Sequence, residues 1–257
     1  MKIHQIYTYN YLRNFTYLLE TNEGDFYCVD PWEAQEIMDK VPQGKLKAVI
    51  NTHEHEDHTR GNADLVKMQG CEIWAHENAK GKIPGVTRFL SKGEKIILGG
   101  EWSIEVLDTP GHTFAHLCLL IKEGDKPHAV ITGDTLFNAG VGNCYNGGDS
   151  GVLYETISSQ FIDLPDEVLL YPGHEYLENN LKFTLDREPE NTQALKLLEK
   201  VDKLNMDEDY FTTNLGLEKE VNAFLRLGEK SIREHLPISP SSDKEVFVSL
   251  RELRDKW

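Results

Sequence analysis

The sequence predicts an α/β fold carrying a helical C-terminal segment. Two observations predict it. Short strand-like runs separated by turn signals fill roughly the first 175 residues, with helical pieces between them, and after that point the pattern turns helical with few strand signals. The 257 residues are enough for a substantial hydrophobic core, and 39% hydrophobic with 27% charged residues is an ordinary globular balance.

The elements follow in order. Phe15–Thr21 and Phe26–Asp30 flank Asn22-Glu23-Gly24, a hairpin pattern. Trp102, Ile104 and Val106 alternate with Glu101, Ser103 and Glu105, the period of a half-buried strand. Helices are expected over 34–41, 61–69 and 152–161, and then over 176–185, 192–204, 218–235 and 243–254. The pattern divides the chain into an α/β domain over 1–175 and a helical domain over 176–257.

Charge and composition exclude several classes. A net charge of −16 repels a phosphate backbone and an anionic membrane, so neither nucleic acid nor membrane is an expected partner. The N-terminal MKIHQIYTYN lacks the apolar stretch of a signal peptide, and no apolar run approaches the ~20 residues that span a bilayer, so the expected location is cytoplasmic. Cys28, Cys71, Cys118 and Cys144 show no C-x-x-C spacing and read as reduced thiols.

Four apolar runs end in polar clusters: AVI in Asn51-Thr52-His53, IEVLD in Thr109-Pro110-Gly111-His112, AVIT in Gly133-Asp134, and VLLYP in Gly173-His174. Ligands in open α/β sheets bind beyond the strand ends, and a single sheet would bring all four ends to one pocket. The densest cluster is His53-Glu54-His55-Glu56-Asp57-His58. H-x-H-x-D-H arises by chance about once in a thousand sequences of this composition. Residues at i and i+2 do not share a helix face, so these side chains converge only from a strand end or a turn. Imidazole and carboxylate ligands suit zinc, iron or manganese. With His112, Asp134 and His174 the candidates number seven, too many for one tetrahedral ion and suited to two ions sharing a carboxylate. His116 is expected to be structural, and Glu54 and Glu56 to lie outside the ligand set.

These residues resemble the metallo-β-lactamase superfamily, whose T-H-x-H-x-D-H signature stands as Thr52–His58. Within it the chain most resembles the glyoxalase II (hydroxyacylglutathione hydrolase) family, through GDTLF at 133–137, GHEYLENNLKF at 173–183 and NAFLR at 222–226. The resemblance implies an αββα sandwich with a C-terminal α-helical domain. It assigns His53, His55 and His112 to one divalent metal and Asp57, His58 and His174 to another, with Asp134 bridging. Zinc comes first, and iron or manganese are the alternatives. The implied reaction is hydrolysis of S-D-lactoylglutathione or a related glutathione thioester by a hydroxide held between the metals, with Asp57 orienting it. The implied thiol-binding residues are Tyr145, Tyr176, Arg251 and Arg254. Arg254 stands in a lysine position of the family, and Asn143 stands where many members carry a basic residue. A mononuclear iron persulfide dioxygenase of the same superfamily, or a hydrolase for another thiol ester, is the rival reading.

Overall fold

β1 (Lys2–Tyr7) and β2 (Phe15–Glu20) pair antiparallel, and β2 pairs in turn with β3 (Phe26–Val29). The expected turn joins β2 to β3, and Gly24 takes φ +77°, a conformation open to glycine at little cost. After α1 (Ala34–Met38), β4 (Leu46–Asn51) adds parallel to β3. A single turn of helix, α2 (Glu56–Thr59), and α3 (Asn62–Gln69) lead to β5 (Glu72–His76) and β6 (Arg88–Leu90). These strands form one six-stranded sheet, in the order β1-β2-β3-β4-β5-β6. The structure, a computed structural model, describes residues 1–205 and 208–257.

A second sheet begins with β7 (Lys95–Gly99), β8 (Trp102–Asp108), β9 (Leu117–Glu123) and β10 (Lys126–Gly133). A small hairpin follows, β11 (Leu136–Phe137) and β12 (Gly140–Val141), and then α4 (Ser150–Gln160). β13 (Leu169–Pro172) adds parallel to β10. Helices α5 (Leu177–Arg187) and α6 (Thr192–Val201) precede β14 (Thr213–Asn214), the edge strand of an order β14-β13-β10-β9-β8-β7.

The two sheets face each other. Tyr17, Leu19 and Ile50 of the first meet Ile104, Leu119 and Ile131 of the second. Because side chains alternate along a strand, Leu18 and Val49 point the other way, where Ile37 of α1 and Leu65 of α3 cover them. Leu120 and Val130 on the outer face of the second sheet are covered by Leu153 and Ile157 of α4 and by the C-terminal helices. The result is the expected αββα sandwich.

The helical segment is finer than its sequence pattern. The helix expected over 218–235 is three pieces: α7 (Leu215–Val221), a 3₁₀ turn at Ala223–Leu225, and α8 (Lys230–Glu234). Asn222 breaks it by adopting extended backbone and accepting the Phe224 N–H with its side chain, a local bond that competes with the helix. The same amide donates to the Gly140 carbonyl at 3.1 Å, so the break ties this segment to β12. The last helix, α9 (Asp243–Arg254), has the expected bounds, with Ser242 capping its N-terminus. Phe224 and Phe247 sink into the core beneath the second sheet, joining the helical segment to the sandwich. No helix among the described residues is long and apolar enough to cross a membrane.

Candidate metal centre

The four strand-end clusters do converge, but from both sheets rather than one. β4 delivers His53, while β8, β10 and β13 deliver His112, Asp134 and His174. Their meeting needs backbone without side chains. A Cβ on Gly173 would lie 2.4 Å from the Asp134 carboxylate, and one on Gly133 would lie 2.5 Å from Thr52 Oγ1.

All seven candidate ligands meet there. His53 Nε2 and His112 Nε2 each lie 3.0 Å from His55 Nδ1. His58 Nε2 lies 3.3 Å from Asp57 Oδ2 and 3.3 Å from His174 Nε2. Asp134 stands between the two groups, with Oδ2 at 3.5 Å from His112 Nε2 and Oδ1 at 3.3 Å from His58 Nε2. His53, His58, His112 and His174 are buried.

The other nitrogen of every imidazole is committed to the protein. His53 bonds Thr52 Oγ1, His55 the Asn146 carbonyl, His58 the Asp30 carboxylate, His112 the Asn143 carbonyl and His174 the Leu12 carbonyl, over 2.6–3.1 Å. Carbonyls and carboxylates only accept, so the last four rings each spend their N–H outward. Thr52 spends its own proton on Asp30 at 2.6 Å, so His53 donates as well. Each tautomer is thereby fixed with a lone pair facing the centre.

Inward nitrogens 3.0–3.3 Å apart crowd one another, and Asp134 Oδ1 is buried with no hydrogen-bond donor among the described residues. Burial and the neighbouring imidazoles hold His53 well below its ordinary pKa, in its neutral ligand form. Burial would raise the Asp134 carboxyl, but His174, His58 and His112 pull it well below its ordinary value. Burial also opposes charge on His58, yet Asp134 and Asp30 push that imidazole up. The cage is built for positive charge, and its donor set fits two cations sharing Asp134.

Some supporting residues were not recognised in the sequence. Asp30 ends β3 in the left-handed region at φ +52°, a position aspartate tolerates, and its carboxylate accepts the Thr52 N–H, the Thr52 hydroxyl and His58 Nδ1–H. The strand-end rule that found His53 and Asp134 would have found it, since FYCV runs directly into it. Asn14 Nδ2 donates to Asp57 Oδ2. His116 lies outside the candidate ligands and packs against two of them. It accepts the Asp134 N–H at 3.1 Å and stacks on His53. Glu54 lies outside the ligand set and bonds Thr113 and Lys82, and Glu56 is exposed. The four cysteines are free, and burial pushes the Cys144 thiol up to about 12, so it is no nucleophile.

Beside the centre lies a cavity of about 300 Å³ whose lining includes all five residues expected to meet the thiol: Asn143, Tyr145, Tyr176, Arg251 and Arg254. They differ in freedom. Tyr145 is exposed, and Tyr176 donates to the Leu12 carbonyl. Asn143 Oδ1 is buried and without a donor. Arg254 donates Nε and Nη2 to Asn180, with no bond of its Nη1 found among the described residues, whereas Arg251 donates from Nε, Nη1 and Nη2. A second cavity, about 250 Å³, opens beside Asp57 between Tyr11, Leu12, Trp32 and Arg60.

An αββα sandwich with a histidine–aspartate cage at the joint of its sheets defines a metallo-β-lactamase-type metal-dependent protein. Comparison with known proteins agrees. The metallo-β-lactamase superfamily matches residues 14–174, and the hydroxyacylglutathione hydrolase C-terminus matches 175–257. Hydroxyacylglutathione hydrolases of Nitrosococcus oceani and of a Polaromonas species are each 44% identical to the chain, covering all of both sequences. The crystal structure of ETHE1 from Myxococcus xanthus shares the fold, with a TM-score of 0.66 at 22% identity over 99% of this chain and 98% of that one. The chain belongs to the hydroxyacylglutathione hydrolase family of the metallo-β-lactamase superfamily.

Proposed function

We propose that the chain hydrolyses S-D-lactoylglutathione or a related hydroxyacyl-glutathione thioester to glutathione and the hydroxy acid. Residues 1–175 would carry the chemistry, and 176–257 would supply much of the thiol-binding side. The observation that supports this best is adjacency: Tyr176, which lines the cavity with Asn143 and Arg254, stacks on His174, and the Asn143 carbonyl accepts from His112.

His53, His55 and His112 would hold one divalent cation and Asp57, His58 and His174 the other, with Asp134 common to both. Zinc is the first candidate, and iron or manganese accept the same donors. Two such cations supply a Lewis acid for the thioester carbonyl and acidify water to react near neutral pH. Asp57, held from behind by Asn14, is placed to orient the attacking water. The departing thiolate is stable near neutral pH, so no dedicated acid is required.

The free Nη1 of Arg254 suits a glutathione carboxylate, and the Tyr145 hydroxyl can join it. The unpaired Asn143 Oδ1 suits a peptide N–H, so a neutral residue at this position is compatible with a peptidic thiol. The acyl group is left the cavity between Tyr11, Trp32 and Arg60.

A thioester panel of lactoyl-glutathione, lactoyl-coenzyme A and simple alkyl thiol esters tests the proposal, with metal analysis of the same preparation. The expected result is two metals per chain and a strong preference for glutathione. A metal-replete protein that ignores every glutathione thioester refutes it. Oxygen uptake on glutathione persulfide with one iron per chain would establish the dioxygenase reading instead.

A further inference from the structure

The cavity of about 250 Å³ beside Asp57 shares no lining residue with the thiol cavity. Backbone contacts hold its walls. The Leu12 carbonyl accepts from His174 Nδ1 at 2.8 Å and from the Tyr176 hydroxyl at 2.9 Å, which ties the loop carrying Tyr11 and Leu12 to the histidine cage. On the other side the Gly61 N–H donates to the Pro31 carbonyl at 2.9 Å, and a Cβ on Gly61 would lie 2.9 Å from that same oxygen. The chain leaving β3 therefore touches the chain leaving α2. Trp32, which follows Pro31, and Arg60, which precedes Gly61, are set side by side. The Trp32 N–H also donates to Thr16 Oγ1 at 3.2 Å, fixing the start of that segment.

Arg60 Cζ lies 4.7 Å from the centroid of the Trp32 ring. Glu56 stands four residues earlier, in register to pair with it, yet no ion pair or hydrogen bond of Arg60 is found among the described residues. The indole steadies the guanidinium through its ring face, and its own nitrogen is a donor only, so the five N–H groups of Arg60 keep their capacity. Arg60 is the one cation among the described residues that line the cavity. Asp57 lies three residues before it, one helical turn away, and lines the same space. An acyl carbonyl attacked beside Asp57 would thus find Arg60 a few bonds farther along its own chain.

We propose that this cavity is an acyl subsite for carboxyacyl groups, in which Arg60, held over Trp32, recognises the far carboxylate of a dicarboxylic acid joined to the thiol through its other end. A guanidinium fork matches a carboxylate with two parallel hydrogen bonds, whereas a lactoyl group ends in a methyl and a hydroxyl and offers no such partner. Glu56, the other carboxylate of the lining besides Asp57, is exposed, so water and salt screen its repulsion. Hydrolysis adds water across the C–S bond and gives glutathione and the free dicarboxylic acid, with no further reactant. The proposal rests on the thioesterase reading. A wild-type protein that hydrolyses no glutathione thioester fails that reading, and one that hydrolyses them without regard to the far carboxylate fails this proposal alone.

The experiment uses the full-length, zinc-loaded protein as wild type, Arg60→Gln and Arg60→Lys. The substrates are lactoyl-, succinyl- and glutaryl-glutathione, with the methyl esters of the last two, which keep the chain and remove the charge. Each kcat/KM is divided by the uncatalysed hydrolysis rate of the same thioester. The wild type is expected to favour each acid over its methyl ester by about two- to fivefold, the range of an exposed ion pair. That ratio falls to near one in Arg60→Gln and lies between the two in Arg60→Lys, which keeps the charge without the fork. Binding gives a second readout free of turnover. The thioether S-(4-carboxybutyl)glutathione, which cannot be hydrolysed, should bind the wild type more tightly than its methyl ester by a similar factor in calorimetry, and Arg60→Gln should erase the difference. A wild type that hydrolyses acid and ester alike and binds the two thioethers alike overturns the proposal. A preference that survives in Arg60→Gln overturns it equally, because the carboxylate would then be read by charge other than that of Arg60.

Discussion

Asn14 Nδ2 donates to Asp57 Oδ2 at 2.9 Å, tying the loop between β1 and β2 to the metal cage. The same oxygen faces His58 Nε2 and His174 Nε2, so Asn14 holds the carboxylate toward these two imidazoles. Such outer partners are typically worth 10–100-fold in metal affinity or activity. Asn14→Ala is expected to lose that factor in kcat and to weaken the Asp57/His58/His174 site, measured by steady-state kinetics and metal competition.

Asp134 stands between both ligand groups, and its Oδ1 has no donor from the protein. Asp134→Asn removes the shared charge, so metal content should fall from two ions per chain to one or fewer. Elemental analysis after gel filtration reads this directly, and retention of two tightly held metals would contradict the bridging role.

Removing metal should also destabilise the fold, because binding to the native state alone adds stability in proportion to the logarithm of free metal over Kd. At a thousandfold excess one ion contributes about 4 kcal/mol. Chelation is expected to lower the thermal midpoint by several degrees, reversed on adding zinc.

Arg254 lines the thiol cavity, and no bond of its Nη1 is found among the described residues. A hydrogen bond to a charged group is worth about 1.5–3 kcal/mol, or roughly 10- to 100-fold. Arg254→Gln should raise KM for lactoyl-glutathione by that factor with kcat nearly unchanged, and should leave a thioester without carboxylates on its thiol unaffected.

Glu218 is wholly buried at the start of the broken helical segment. Burial pushes its carboxyl up to about 7, against the pull of the Thr213 hydroxyl, the Ala139 N–H and Asn222. A carboxyl raised on folding contributes stability that is complete below its unfolded value and is lost as pH rises through the folded one. The contribution should fade between about pH 4.5 and 7, by about 3 kcal/mol. Glu218→Gln should flatten this part of the profile, on the order of 10 °C in Tm relative to wild type between pH 5 and 8. Parallel melting curves for the two proteins would expose the opposite sign.

Much of this molecule is written locally. Strand alternation and turn residues are short-range properties, so the hairpin around Gly24, the strand ends at His53, His112, Asp134 and His174, and the helix over 243–254 were readable without coordinates. The seven candidate ligands were legible because few side chains bind metals, and His and Asp stand together at these strand ends. The break at Asn222 was not, because the apolar pattern continues across it, and its side chain favours the interruption through both a local bond from the Phe224 N–H and one to the distant Gly140 carbonyl.

The sequence alone determined which residues can bind cations and the two-part plan of sandwich and helical tail. Tertiary structure decided that the candidate ligands converge from two sheets, that Asp30 and Asn14 stand behind them, and that Arg251 and Arg254 line one cavity, the first bonded to the Val141 carbonyl and the second to Asn180. The reason is physical. Four of the five candidate ligand histidines, all but His53, are oriented by outer acceptors far along the chain: the Leu12, Asn143 and Asn146 carbonyls and the Asp30 carboxylate. Every residue carries a main-chain carbonyl, so no letter distinguishes the three that matter, and Asp30 acquires its partner only when β3 and β4 lie side by side.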